Sequence, residues 1–227
     1  MANRIGTLSE KSLHASLKDW YGRSGDQFEV KVDGYYIDIV RDDLLIEIQT
    51  GNFSAMKKKL NTLLENHYVL LLHPIAEKKW IVRETAQGEL ISRRKSPKNG
   101  RSLDLFAELI RIPHLLDHPR LSVGAVMTHE EEILRDDGQG SWRRKRWSKH
   151  DCRLLTVTDE QYFDSPFDYL DLLPTDLPQP FTNKELAKLA KIRTNLAQRI
   201  TYTLRRCGVL NMIGKNGNSL LYKFTDE

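Results

Sequence analysis

"YYIDIVRDDLLIEIQTGN", residues Tyr35 to Asn52, decides how the first third of this chain folds. Apolar and polar residues alternate through "YYIDIV" and again through "LLIEIQ", the period-two pattern of half-buried strands. Asp42-Asp43 sits between them as a turn. Upstream, "FEVKV" (Phe28–Val32) alternates in the same way and is separated from Tyr35 by Asp33-Gly34, the strongest short hairpin signal. Treating both turns as tight loops fixes the register. Val32 faces Tyr35 and Glu29 faces Asp38; across the second turn, Asp38 faces Glu47 and Tyr36 faces Gln49.

That register sorts the side chains cleanly. Phe28, Val30, Val32, Tyr35, Ile37, Ile39, Leu44, Ile46 and Ile48 share one face, all apolar or aromatic. The other face carries Glu29, Asp38 and Glu47 as one row, with Lys31, Tyr36 and Gln49 as the next. Directly opposed side chains lie about 5 Å apart, and two carboxylates there repel by roughly 3 kcal/mol at an effective dielectric of 20. A divalent cation turns that repulsion into attraction, through hard oxygen ligands of the kind magnesium takes. Asp38 and Glu47 are therefore read as a metal seat. The bland alternative is a wet acidic face in a slightly different register.

Around these strands the order of elements is simple. Thr7 and Glu10 have capping-box spacing ahead of a helix with Leu13 and Leu17 on one side. After Gly51-Asn52, "FSAMKKKLNTLLENH" is a crossover helix carrying Met56, Leu60, Leu63 and Leu64 on one side. "YVLLLHPI" follows as a continuous apolar run, the mark of a buried parallel strand, with His73 at its end as packing. Farther on, "KWIVRE" and "GELISRR" form a hairpin and "SLDLFAELIRI" a helix. "LSVGAVMTHEEEIL" and "CRLLTVT" are later strands.

Helix, three-strand meander, helix, strand, with an acid on the second strand and acid-x-polar on the third, resembles the PD-(D/E)xK nuclease superfamily. The matching residues are Asp38 and Glu47-Ile48-Gln49, and the likeness covers about residues 7–75. The resemblance implies an α/β fold with a restriction-endonuclease-like αβββαβ core and mixed sheet, and Mg²⁺- or Mn²⁺-dependent hydrolysis of DNA. It also implies that Asp38, Glu47 and the Ile48 carbonyl hold the metal and that Gln49 orients water. Glu10 matches the acid often found on the first helix, while its capping-box role explains it equally well. Gln49 stands where lysine is usual in these enzymes, and Lys31 or Lys57 is the expected substitute.

Composition fits this picture. Of 227 residues, 40% are hydrophobic and 29% charged, with a formal net charge of +4. No apolar run reaches membrane-spanning length and nothing at the start marks export, so a cytoplasmic protein with reduced Cys152 and Cys207 is expected, away from membranes. No glycine loop or nucleophile elbow is present, so no nucleotide cofactor is expected. "THEEE" lacks a second histidine for zinc.

Charge gathers near the end of the chain. Phe181 to Glu227 holds nine Lys/Arg against three Asp/Glu. A proline-rich seam, "DSPFDYLDLLPTDLPQP", precedes it and reads as a linker, giving a body at 1–175 (extension 76–175) and a module at 181–227. Within the module, Thr182 and Glu185 cap a short helix, Thr194 starts a second, and "VLNMIGKNGNSLLYKF" forms a hairpin. Two helices and a hairpin resemble a winged helix-turn-helix, which implies DNA as partner. Asn195, Gln198, Arg199, Tyr202 and Arg206 point away from the Leu196-Ile200-Leu204 stripe, with Lys215 at the hairpin tip. "SWRRKRWSKH" adds Arg143 and Arg144 between tryptophans, a composition suited to phosphate contact and stacking; a solvated loop is the plainer reading.

The expectation is thus a DNA endonuclease targeted by its tail, acting as a homodimer or with a protein partner where both strands are cut. Its rivals are a non-catalytic DNA-binding regulator or assembly protein with a degenerate nuclease fold, and a scaffold that docks protein through the tail.

Overall fold

The structure, a computed structural model, describes residues 12–138 and 147–225. Its elements, in chain order, are α1 (Ser12–Tyr21), β1 (Gln27–Val32), β2 (Tyr35–Arg41), β3 (Leu44–Ile48), α2 (Phe53–Leu63), β4 (Tyr68–Glu84) and β5 (Leu90–Lys95). There follow α3 (Phe106–Leu109), β6 (Leu121–Arg135), β7 (Ser148–Phe163), β8 (Phe181–Thr182), α4 (Asn183–Leu189), α5 (Thr194–Arg206), β9 (Leu210–Asn216) and β10 (Ser219–Phe224). The fold is mixed α/β. A large sheet runs β1-β2-β3-β4-β6-β7 with β5 on β4, and a small one runs β8-β10-β9. β1, β2 and β3 pair antiparallel, whereas β3 and β4 pair parallel across the α2 crossover.

Two compact units divide the chain. One comprises Met1–Asp26, Pro74–Arg101 and Val126–Glu160; the other comprises Gln27–His73, Ser102–Ala125 and Gln161–Glu227. The second unit holds the meander, α2, α3 and the small sheet with its helices.

The meander forms for the reasons its sequence gives. Asp33 and Gly34 take φ of 46° and 87°, the left-handed pair that a twisted two-residue hairpin needs. Val32 pairs with Tyr35, Lys31 with Tyr36 and Val30 with Ile37. Across the next turn Arg41 pairs with Leu44, Val40 with Leu45 and Ile39 with Ile46. Ile37, Ile39, Ile46 and Ile48 are buried against the core, each worth about 1.5–3 kcal/mol of transfer free energy. Phe28 departs from the expected apolar face: it is 48% exposed, because β1 is the sheet edge and its outer half has nothing to pack on.

α2 follows the expected stripe, with Phe53, Met56, Leu60 and Leu63 buried. Asn52 precedes it with φ of 59° and offers no side-chain cap. Glu108 supplies the cap instead, its Oε2 accepting from the Phe53 N–H at 2.9 Å. β4 is one strand through Pro74, where the sequence suggests two. Its parallel pairing with β3 ends at Ile48 and Leu72, so the N–H that Pro74 lacks is not needed on that edge. The segment read as one helix at 102–112 is shorter. A 3-10 turn (Ser102–Leu105) leads into the single α turn of α3, burying Leu105, Phe106 and Leu109.

The proline-rich seam is folded, not a solvated connector. Pro166–Leu172 is a 3-10 helix started by a Ser165–Asp168 capping box. Tyr169 is buried there, stacked on Phe163 at 4.6 Å and edge-on to Phe106 at 5.9 Å. Aromatic and leucine residues interleave with the prolines, and burying them outweighs the loss of regular hydrogen bonding. Among the described residues no helix is long and apolar enough to cross a membrane.

Candidate functional site

Asp38 and Glu47 meet where β2 and β3 part. The ladder between these strands runs from Arg41/Leu44 to Ile39/Ile46 and goes no further. Beyond it the carboxylates take over the backbone's bonding. Asp38 Oδ2 accepts the Ile48 N–H at 2.8 Å, and the Asp38 N–H in turn bonds the Glu47 carboxylate. β3 stays with β4, with Ile48 beside Leu72 and the Gln49 N–H donating to the Leu72 carbonyl at 2.8 Å. On the other side of β2 the β1 ladder skips the Glu29/Asp38 rung, and Glu29 adopts φ of 54°. Left-handed φ at a non-glycine residue costs of order 1–3 kcal/mol. Distortion on both flanks is thus centred on Asp38.

Glu47 is the unusual group. Only 4% of it is exposed. Lys59 of α2 brings its Nζ to 2.6 Å from Glu47 Oε1 as an ion pair, while donating to the Tyr36 carbonyl at 2.6 Å. Burial, reinforced by the neighbouring Asp38 charge, pushes the Glu47 carboxyl up to about 7; Lys59 opposes that rise without cancelling it. The result is a buried acid that is half-charged near neutral pH, next to a second carboxylate and a lysine.

Lys59 was not among the lysines expected from the sequence. Lys31 and Lys57 are both exposed, whereas Lys59 is half-buried. Helical spacing does not single it out: Lys57 flanks the stripe of Phe53, Met56, Leu60 and Leu63 as closely on one side as Lys59 does on the other, and it is the packing of α2 that turns Lys59 inward. Gln49 follows Glu47 as expected, yet its side-chain nitrogen donates to the Gly51 carbonyl. Its backbone carbonyl is held by His73 Nδ1 at 2.7 Å, and the His73 ring packs edge-on to Phe53 at 5.2 Å. His73 thus anchors the β3–α2 turn. Glu10, expected as a third acid, lies outside the described residues, as do Arg143 and Arg144. Among the described residues no three His, Cys, Asp or Glu side chains gather to hold a metal. Asp38 and Glu47 still suit a magnesium-like ion, which takes one or two carboxylates and completes its shell with water and phosphate oxygens.

The tail presents a coherent face. Ala197, Ile200, Thr201, Thr203 and Leu204 bury one side of α5; Leu196 is only half-buried. Asn195, Gln198, Tyr202 and Arg206 lie exposed at helical spacing, joined by Arg205, which the sequence reading omitted. Arg199 leaves this row and donates to the Ala107 carbonyl of α3 at 3.4 Å. Lys215 is exposed near the end of β9, and Gly217, φ 56°, turns the hairpin. The Thr182–Glu185 capping box starts α4 as expected, while α5 starts after Arg193 without a side-chain cap.

A shallow cleft of about 380 Å³ lies at the other end of β3, lined by Arg41, Asp42, Leu44, Tyr68 and Arg120. Arg120 is occupied there with the Leu64 and Glu65 carbonyls at the end of α2, so the cleft carries no comparable chemistry.

Compared with known proteins, residues 11–164 match a family described as a domain of unknown function, DUF8091. A protein of Treponema pallidum (strain Nichols), described as uncharacterized, is 32% identical over 221 residues, covering 96% of this chain and 87% of its own. No solved structure matches. The family match spans the meander, α2 and the long strands, more than half of the molecule: the chain belongs to the DUF8091 family.

Proposed function

We propose that this protein is a metal-dependent DNA endonuclease with a restriction-endonuclease-like core, targeted by a winged-helix tail. One observation carries the reading: two carboxylates, Asp38 and Glu47, converge where paired strands separate, with the Lys59 ammonium 2.6 Å from Glu47. Asp38 and Glu47, with the Ile48 carbonyl, would hold the ion. When bound, Mg²⁺ or Mn²⁺ supplies a Lewis acid for the scissile phosphate and a water of lowered pKa. Lys59 supplies the fixed positive charge that Gln49 cannot, against the anionic phosphate. Gln49 and His73 hold the turn that aims Glu47 and α2 at each other. The row Asn195, Gln198, Tyr202 and Arg206 reads DNA in the major groove, with Lys215 on the backbone. A second copy or a partner protein supplies the second site that a duplex cut requires.

Incubating supercoiled plasmid with the protein and Mg²⁺ or Mn²⁺ tests this. Wild type should nick, and Asp38→Ala and Glu47→Ala should not. Binding without nicking in either metal would establish the second reading, a DNA-binding regulator with a degenerate nuclease fold. That reading is favoured by the Lys59 ammonium, which already neutralises part of the acidic pair, and by the engagement of Gln49 with Gly51.

A further inference from the structure

Among the described residues Tyr36 is the most exposed large hydrophobic, at 69%. It sits on β2, two residues before Asp38, so the two side chains leave the sheet on the same face about 7 Å apart. Two further features tie this ring to the acidic pair. Its own carbonyl accepts from Lys59 Nζ at 2.6 Å, the same nitrogen that lies 2.6 Å from Glu47 Oε1. Directly across the ladder stands Lys31, exposed and cationic. An aromatic platform, a lysine beside it and two carboxylates one pleat repeat away therefore stand on a common backbone.

We infer that Tyr36 stacks an unpaired nucleobase next to the scissile phosphate, so that the preferred substrate is a DNA segment with single-stranded character: a flap, a frayed end or a bulge. This inference rests on the nuclease reading of Asp38 and Glu47. A base inside a duplex has both faces covered by its neighbours, and a side chain stacks on it only once it is unpaired or extruded. Stacking on an aromatic ring tolerates any base, so this contact selects strand structure, not sequence. Lys31 contacts the phosphate flanking the stacked base, and the spacing between Tyr36 and Asp38 leaves the next phosphate over the acidic pair. Specificity for sequence is left to the tail.

The test uses the full chain with three variants, Tyr36→Ala, Tyr36→Phe and Asp38→Ala. The substrates are a fully paired duplex and the same duplex carrying a single-stranded flap with 2-aminopurine at the junction. Wild type and Tyr36→Phe should quench the 2-aminopurine emission on binding and cut the flap at least about tenfold faster than the duplex. Tyr36→Ala should lose the quenching and bring the cutting ratio to within about twofold of unity, while its duplex cutting stays near wild type. Because the ring is exposed, the Ala variant should keep the wild-type melting temperature. Equal flap preference in wild type and Tyr36→Ala overturns the stacking role; if Asp38→Ala still abolishes cutting, the nuclease reading stands. Absence of cutting by wild type on either substrate, with Mg²⁺ and with Mn²⁺, overturns the nuclease reading. In that case retained quenching by wild type that Tyr36→Ala loses upholds the platform as a single-strand binding site, and absent quenching ends it.

Discussion

Glu47 and Glu130 are both buried carboxylates on central strands, at 4% and 3% exposure, and their surroundings differ in kind. Glu130, on β6 in the other compact unit, has every oxygen engaged. Thr128 Oγ1 donates to its Oε1 at 2.8 Å, Cys152 Sγ donates to Oε2 at 3.3 Å, and Lys79 Nζ sits 3.1 Å from Oε2. The one Thr128 hydroxyl proton goes to that shorter contact, with the Ile75 carbonyl at 3.2 Å as the alternative acceptor. Glu47 has the Asp38 N–H and the Lys59 ion pair, and faces a second carboxylate whose charge opposes its own. The cost of burying a charge is offset only when its partners are complete. Glu130 is therefore architecture, holding β4, β6 and β7 together. Glu47 keeps the repulsion of a neighbouring carboxylate beside its lysine, so its burial is less fully compensated than that of Glu130.

Substitution should separate the two most sharply in activity. Glu47→Ala and Asp38→Ala should each lower plasmid nicking by more than the roughly 10–100-fold that loss of an outer-shell partner costs a metal site. Glu130→Ala should leave the nicking rate per folded molecule unchanged. Equal losses for Glu47→Ala and Glu130→Ala, normalised to folded protein, would erase the distinction. In stability the order reverses. Glu130→Ala removes one partner from Lys79, which keeps Glu132 at 3.7 Å, and from the Thr128 hydroxyl, which keeps the Ile75 carbonyl at 3.2 Å, and should cost about 1–3 kcal/mol by urea unfolding.

Titration sharpens the comparison at a slightly smaller scale. In the folded protein Glu47 titrates near 7, above its ordinary value of 4.5. Below 4.5 both folded and unfolded chains hold the proton and nothing is gained or lost. Between 4.5 and 7 only the folded chain holds it, so stability falls as pH rises; above 7 the full penalty of about 3 kcal/mol is present. Glu47→Gln should flatten that slope in melts taken from pH 4.5 to 8. Lys59→Met removes the opposing charge and should carry the slope to higher pH. A wild-type slope that Glu47→Gln leaves intact would place the burial energetics elsewhere.

Much of this was legible in the sequence because hairpin registers are discrete. Asp33-Gly34 and Asp42-Asp43 allowed one pairing that put every isoleucine on one face, and that pairing brings Asp38 to Glu47. Lys59 was missed for the opposite reason. Three consecutive lysines look equivalent as letters, and only the phase of α2 against β3 chooses the one that reaches inward. The Glu130–Cys152–Lys79 cluster joins three strands across long sequence separations, so no local pattern announces it. The folded proline seam was hidden because proline spacing speaks only to the backbone, whereas Tyr169 is placed by Phe106 and Phe163, both distant in sequence. Arg199 and Arg206 look alike on a helical wheel; α3, itself shorter than its sequence suggests, is what draws Arg199 out of the row.

The smallest effect tests whether Glu130 is as complete as its geometry indicates. Burial pushes the Cys152 thiol up to about 12, so it remains a protonated donor across the working range. Cys152→Ala removes that donor and nothing else from the carboxylate; Oε2 keeps Lys79 and Oε1 keeps Thr128. Loss of one weak donor from an otherwise satisfied group should cost about 1 kcal/mol in urea unfolding, including the small cavity left by the sulfur. No pH dependence should appear between pH 5 and 8, since the thiol does not ionise there in the folded protein. A cost several times larger, or a new pH slope, would mean that Glu130 depends on Cys152 for its charge state. Glu130 would then belong with Glu47 as a poised carboxylate, and the contrast between a finished buried ion pair and an unfinished one would fail at its better-satisfied end.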